Sequence, residues 1–215
     1  MQKYLAELIG TFALVFCGTG AIIIDEVSGG SVSHVGVAIT FGLIVLAMIY
    51  TFGEVSGAHL NPAVTLSFWA LSLFPAKAVL PYLSSQIAGA FLASLLLMFL
   101  FPDSKNLGAS LPAGDPWQSF VLEIVLTFIL MLVIIRVSHG AKETGWFAGI
   151  AIGSVVLLEA MFAGPICGAS MNPARSLAPA FVSGNLGQIW IYLTAPIVGA
   201  LLAAFIGKTV FLQSS

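Results

Sequence analysis

Apolar residues fall in six long runs, at roughly 4–24, 34–52, 80–101, 117–137, 146–163 and 187–211. A helix needs about 20 mostly apolar residues to cross a bilayer, so each run predicts a transmembrane helix. Two further apolar stretches, Pro62–Ser72 and Pro173–Val182, are too short to cross. Each opens with Asn-Pro-Ala. Asn is a strong N-cap, and Pro fits the first helical position because its missing N–H would have no helical partner there. The pattern predicts two half-helices starting near Asn61 and Asn172, approached by glycine-rich extended loops over Gly53–Leu60 and Gly164–Met171. Non-helical backbone at membrane depth is tolerated only where it is buried in protein or lines a wet cavity. The expected fold is therefore an all-α membrane protein with six transmembrane helices plus two re-entrant half-helices, a single domain over residues 1–215 with a pore.

Composition agrees with that pattern. Only 7% of the residues are charged, against about a quarter in a soluble domain, so much of the surface must face lipid. The first run lacks a basic leader followed by a small-residue cleavage site, and it reads as a permanent span. Lys3, Lys77, Arg136, Lys142 and Lys208 all fall on one side of the predicted topology. Asp25, Glu26, Asp103, Asp115 and Lys105 fall on the other. The Lys/Arg bias puts both termini in the cytoplasm. The net charge of −2, with no basic run, argues against a nucleic-acid partner. Cys17 and Cys167 lack metal-ligand spacing and read as buried free thiols, with a disulfide as the unsupported alternative. No cofactor or metal site is indicated.

The chain repeats itself. Glu7, Thr11 and Phe12 recur as Glu123, Thr127 and Phe128; Gly53, Gly57, Asn61, Pro62 and Ala63 recur as Gly164, Gly168, Asn172, Pro173 and Ala174; Gly89-Ala90 recurs as Gly199-Ala200. The offset stays between 110 and 116 residues, which divides the chain at about 1–105 and 116–215. Three spans per half leave the chain on the opposite side, so the second half enters inverted. Inverted repeats commonly hold their functional site at the midplane, where broken helices meet. Here the half-helices meet N-terminus to N-terminus, each carrying about half a positive charge. Cations are repelled there, and the Asn61 and Asn172 amides can donate to a passing oxygen. The loop carbonyls of Gly57, Ala58, His59 and Leu60, and of Gly168, Ala169, Ser170 and Met171, form a candidate ladder of acceptors.

Two Asn-Pro-Ala boxes at equivalent repeat positions, with Arg175 directly after the second, resemble the aquaporin or major intrinsic protein family. The likeness covers essentially the whole chain. The string from Ala163 to Leu177 is similar to the nodulin-like intrinsic proteins of plants and their bacterial relatives, whereas Ser176 and Ala180 resemble the water-channel type. The resemblance implies a homotetramer with one pore per subunit and a midplane at which the two asparagines interrupt proton hopping. It also implies a selectivity filter of Phe41, Ala160, Ala169 and Arg175 near the outer mouth. Water-specific members carry His where this chain has Ala160. Its loss widens the filter and deletes a donor, so the expected function is a passive channel for water and small uncharged solutes. Glycerol, urea, boric acid and arsenous acid are the candidates, with exclusion of protons and ions. The alternative is a water-selective pore narrowed by Phe41. An ion channel or coupled transporter would need an ion-binding pore charge, and a structural or adhesive protein would need more loop surface. The loops show no nucleophile–base pair or phosphate loop, so an enzyme is not expected.

The remaining charges have structural readings. Glu7 and Glu123 are expected to accept orphan backbone N–H groups of the re-entrant loops. Glu159, beside Ala160, is expected to brace the second loop or Arg175, with the outer vestibule as the alternative. Glu54 is expected in the inner vestibule. His59 is expected to bond within its loop, with His34 and His139 solvated at span ends. The segment 138–145, with His139, Lys142 and Glu143, reads as a connection or an inner-mouth cover. The expected location is the cell membrane.

Overall fold

The computed structural model describes residues 1–139 and 145–211. Lys142 and Glu143 lie outside the described residues. Among those described, the chain forms eight helices and no strand: α1 (Gln2–Val27), α2 (Ser33–Ser56), α3 (Pro62–Ala70), α4 (Ala76–Leu100), α5 (Pro116–His139), α6 (Ala148–Cys167), α7 (Pro173–Ser183) and α8 (Ile189–Phe211). Six are long and apolar enough to cross a membrane, and α3 and α7 are the two half-helices. Both termini share one face of the bundle, here called the terminal face. The α4–α5 connection lies at the opposite, far face.

The approaches to the half-helices are shorter than expected. Helices α2 and α6 run on to Ser56 and Cys167, and each ends on a left-handed glycine, Gly57 with φ 84° and Gly168 with φ 81°. Their N–H groups close the last turn onto the carbonyls of Gly53 and Gly164. The inner glycines are thus held within helix, and only residues 57–61 and 168–172 leave it. Pro165 lies inside α6 and has no N–H to give the Met161 carbonyl one turn earlier. His34 Nε2 donates to that carbonyl at 2.8 Å, so His34 pins α2 to α6 while remaining exposed on its outer side.

Within each repeat one long pair packs tightly, α1 on α4 and α5 on α8, while α2 packs on α6 across the repeats. Lipid is as apolar as a leucine side chain, so association depends on close packing. Glycines at equivalent positions permit it. A Cβ on Gly89 would lie 2.2 Å from the Leu8 carbonyl oxygen, and one on Gly199 would lie 2.3 Å from that of Ile124. Gly42 and Gly153 face each other, each with the other's carbonyl oxygen 2.6 Å from where its Cβ would be. This reciprocal contact holds α2 against α6. The half-helices cross over: α3 packs against α8 of the second repeat, and α7 against α4 of the first. Exposed Trp117 and Trp190 cluster with Phe120 at the far face, and exposed Trp146 lies towards the terminal face, as for aromatic rings at the two membrane interfaces.

Gly89→Ala drives a methyl into backbone, whereas Gly20→Ala meets only a Leu97 methyl at 3.5 Å. We expect Gly89→Ala to lose about 1–3 kcal/mol of stability, as overpacked cores do, and Gly20→Ala to be neutral. Thermal unfolding of both variants in detergent checks this.

Candidate functional site

The site starts from a backbone problem. Ala58 and Leu60 in the first loop, and Ala169 and Met171 in the second, hold positive φ angles of 45°, 50°, 40° and 53°. Left-handed alanine, leucine and methionine are strained, and the backbone N–H groups beside them lie outside any helix. Glu7, fully buried on α1, meets this need in the first half. Its Oε1 accepts from Ser56 Oγ at 2.7 Å and His59 N at 2.9 Å, and its Oε2 from Leu60 N at 2.7 Å and Gln86 Nε2 at 2.8 Å. Glu123 on α5 accepts from Ser170 N at 2.7 Å and Met171 N at 2.8 Å. Tyr82 and Tyr192 add a matched pair of bonds, each hydroxyl donating at 2.8 Å to the carbonyl just before a loop, Ser56 and Cys167.

The two asparagines then join the halves. Asn61 Oδ1 caps α3 by accepting from Ala63 N at 2.9 Å, and its Nδ2 donates to the Met171 carbonyl at 2.8 Å. Asn172 Oδ1 accepts from Ala174 N at 3.0 Å and Arg175 N at 3.3 Å, and its Nδ2 donates to the Leu60 carbonyl at 2.9 Å. Each amide nitrogen carries two hydrogens, so one remains for the cavity that both residues line. Pro62, Ala63, Pro173 and Ala174 are buried behind them as the first turns of α3 and α7.

Arg175 is 2% exposed, yet its guanidinium is held by neutral groups alone among the described residues. Nη1 donates to the Gly108 carbonyl at 3.0 Å and to Ser110 Oγ at 2.7 Å. Ser110 Oγ pairs with Ser176 Oγ at 2.7 Å, and Ser176 with Ser170 Oγ. The charge is also 5.0 Å from the centroid of the Phe41 ring, a cation–π distance. Phe41, Ala160, Ala169 and Arg175 all line one cavity.

That cavity, of about 610 Å³, runs from these four residues past Asn61 and Asn172 to Trp146 and His139 at the terminal face. One side is apolar, with Leu14, Val45, Val64, Leu130, Ile134 and Val156. Gly57, Ala58, His59, Leu60, Ala169, Ser170 and Met171 form a polar backbone stripe; Gly168 is outside the lining. Glu54 and His139 line the wide end. His59 Nδ1 bonds Thr65 Oγ1 of α3 at 3.1 Å, which ties the loop to the half-helix. Glu159 braces neither the loop nor Arg175: it is buried, and its carboxyl oxygens have no hydrogen-bond partner among the described residues. Both cysteines are free thiols. Sequence reasoning missed Gly108, Ser110 and Gln86, which belong to no repeated motif. It also missed Tyr82 and Tyr192, whose spacing of 110 residues matches the repeat and could have found them.

Comparisons with known proteins bear on this architecture. Residues 1–207 match the model of the major intrinsic protein family. Aquaporin NIP1-1 of Oryza sativa subsp. japonica is 45% identical over 206 residues, covering 95% of this chain and 72% of the relative. Nodulin-26 of Glycine max is 44% identical over 207 residues, covering 96% and 76%. Among solved structures, the aquaglyceroporin from Plasmodium falciparum superposes with a TM-score of 0.83 at 26% identity, covering 99% of this chain and 96% of that one. The relatives are channels rather than enzymes, the sequence relatives include nodulin-26 and a NIP aquaporin, and the solved aquaglyceroporin shares the fold over 99% of this chain. The chain belongs to the major intrinsic protein (aquaporin) family, as an integral, multi-pass membrane channel.

Proposed function

We propose that the cavity is a passive pore for water and for small uncharged solutes of the glycerol, urea, boric acid and arsenous acid type, closed to protons and ions. The observation that carries the reading is the filter wall: one aromatic ring, two methyl groups and one guanidinium around a single cavity. A solute with an apolar edge and several hydroxyls fits such a wall, laying carbon on Phe41 and oxygens towards Arg175. The likeness to the aquaglyceroporin from Plasmodium falciparum supports the wider solute range. Ion exclusion follows from the two opposed half-helix N-termini, each equivalent to about half a positive charge, with Arg175 adding a full charge at the far mouth. Pore diameter, polar lining and half-helix dipoles set selectivity in such channels generally. The Lys/Arg bias supports cytoplasmic termini, hence an outward-facing filter, in the cell membrane. The family resemblance supports a homotetramer.

Liposomes carrying the protein test the solute range. After a sucrose step we expect fast shrinkage, and after a glycerol step fast shrinkage followed by re-swelling well above that of empty vesicles. Shrinkage without re-swelling would replace this reading by a water-selective pore. We also expect Ala160→His to bring glycerol permeability to the empty-vesicle level while water still passes, because the imidazole refills the bore. Stopped-flow light scattering on the variant reads both.

A further inference from the structure

Phe41 can limit the bore only from where its ring sits, and that position is set by a residue outside the cavity lining. Gly18 of α1 is buried, and a Cβ built on it would lie 2.2, 2.5 and 2.6 Å from three ring carbons of Phe41. The ring therefore lies directly against glycine backbone. Non-bonded carbons rest about 3.5–4.0 Å apart, so any side chain at 18 displaces the ring by about 1 Å or more. The backbone carrying Phe41 cannot retreat to absorb this. Its neighbour Gly42 is wedged against α6, where a Cβ would be 2.5 Å from Leu157 Cβ and 2.6 Å from the Gly153 carbonyl oxygen. The open direction left to the ring is the cavity it lines.

The next residue acts on Arg175, whose guanidinium lies against the Phe41 ring. A Cβ on Gly108 would be 2.7 to 2.9 Å from Thr19 atoms, so the loop that offers its carbonyl to Arg175 rests on Thr19. One step of α1 thus seats both the ring and the support of the guanidinium. We infer that Gly18 is a specificity-determining residue of this channel: by giving the Phe41 ring a recess in α1, it sets the width of the filter and hence the largest solute that passes. It acts through Phe41 as a positioning residue. The inference rests on the reading of Phe41, Ala160, Ala169 and Arg175 as the filter.

The test measures water and glycerol permeability in liposomes of equal protein content for the wild type, Gly18→Ala, Phe41→Val and the double variant. We expect Gly18→Ala to lower glycerol permeability at least about tenfold, the factor that about 1.4 kcal/mol at the barrier gives, and to lower water permeability by less. On the Phe41→Val background the same substitution should have no effect, because the ring that transmits it is gone; this also shows that the alanine is tolerated by the fold. Unchanged permeabilities in Gly18→Ala overturn the inference. So does an equal loss with and without Phe41, which would mark a packing defect of α1. If the wild type passes water but no glycerol, the proposed solute range fails. The inference is then decided on water alone, by whether the Gly18→Ala loss disappears with the ring.

Discussion

Everything at the pore depends on placing non-helical backbone at membrane depth. Each unsatisfied buried N–H costs about 1–3 kcal/mol, and each left-handed residue other than glycine adds a similar amount. Residues 57–61 and 168–172 combine both costs. Glu7 and Glu123 offset them by accepting loop N–H groups directly, and the tyrosine hydroxyls secure the helix ends that lead in. The carboxyl groups are therefore structural in a setting where a buried acid usually suggests transport chemistry. Their acceptor oxygens also leave the loop carbonyls unspent. Those carbonyls can line the cavity, and two of them receive the opposite asparagine. The head-to-head meeting of α3 and α7, unfavourable for two like dipole ends, is held by those reciprocal amide bonds.

The backbone is symmetric and the chemistry is not. The paired φ values, 84° and 81° at the loop glycines, 45° and 40° at the alanines, 50° and 53° before the asparagines, show one loop built twice. The offset of 111 residues holds from Gly42 and Gly153 through Asn61 and Asn172. It maps Phe41 to Ile152, Ala160 to Ile49, Ala169 to Ala58 and Arg175 to Val64, all of which line the same cavity. The repeat counterparts of these four residues are thus all aliphatic. The two loops match in backbone, whereas the guanidinium and the aromatic ring have aliphatic counterparts. The cavity thus has a guanidinium and an aromatic ring among the first four residues, and aliphatic side chains beside the loop backbone at their repeat counterparts.

The sequence made the elements legible because lipid enforces simple rules: run length for spans, Asn-Pro for half-helix starts, equal spacing for the inverted repeat. Helix ends were less legible. Gly53, Gly164 and Pro165 look like breakers, yet α2 and α6 continue through them to Gly57 and Gly168. Tertiary contacts make this possible, since His34 supplies the hydrogen bond that Pro165 cannot. The boxes led to Asn61, Asn172 and Arg175, which line the cavity, but also to Gly168, which does not. The residues that hold the lining in place were not readable from the boxes, because Ser110, Gly108 and Gln86 act through space across 65 to 79 residues of chain. Glu159 illustrates the opposite error. Its place next to Ala160 suggested a bracing role, but adjacent helix positions point about 100° apart, and its carboxyl meets no loop donor among the described residues.

On the proposed reading of Phe41, Ala160, Ala169 and Arg175 as the filter, composition alone underdetermines its width. Ala160 and Ala169 remove bulk, but the space they free is usable only if Phe41 stays back and Arg175 stays at the wall. Phe41 stays back because α1 has no side chain at Gly18, and α2 cannot shift because Gly42 is locked on Gly153. Arg175 stays at the wall because the Gly108 carbonyl and the Ser110–Ser176–Ser170 hydroxyls hold one edge of it. None of these supports is charged among the described residues. The guanidinium hydrogen-bonds no carboxylate among the described residues; Glu123 meets these supports only through the Ser170 N–H. On the proposed reading of the filter, size selection and charge selection would rest on one set of contacts, because the hydroxyls and carbonyl that hold Arg175 also fix its place beside Phe41.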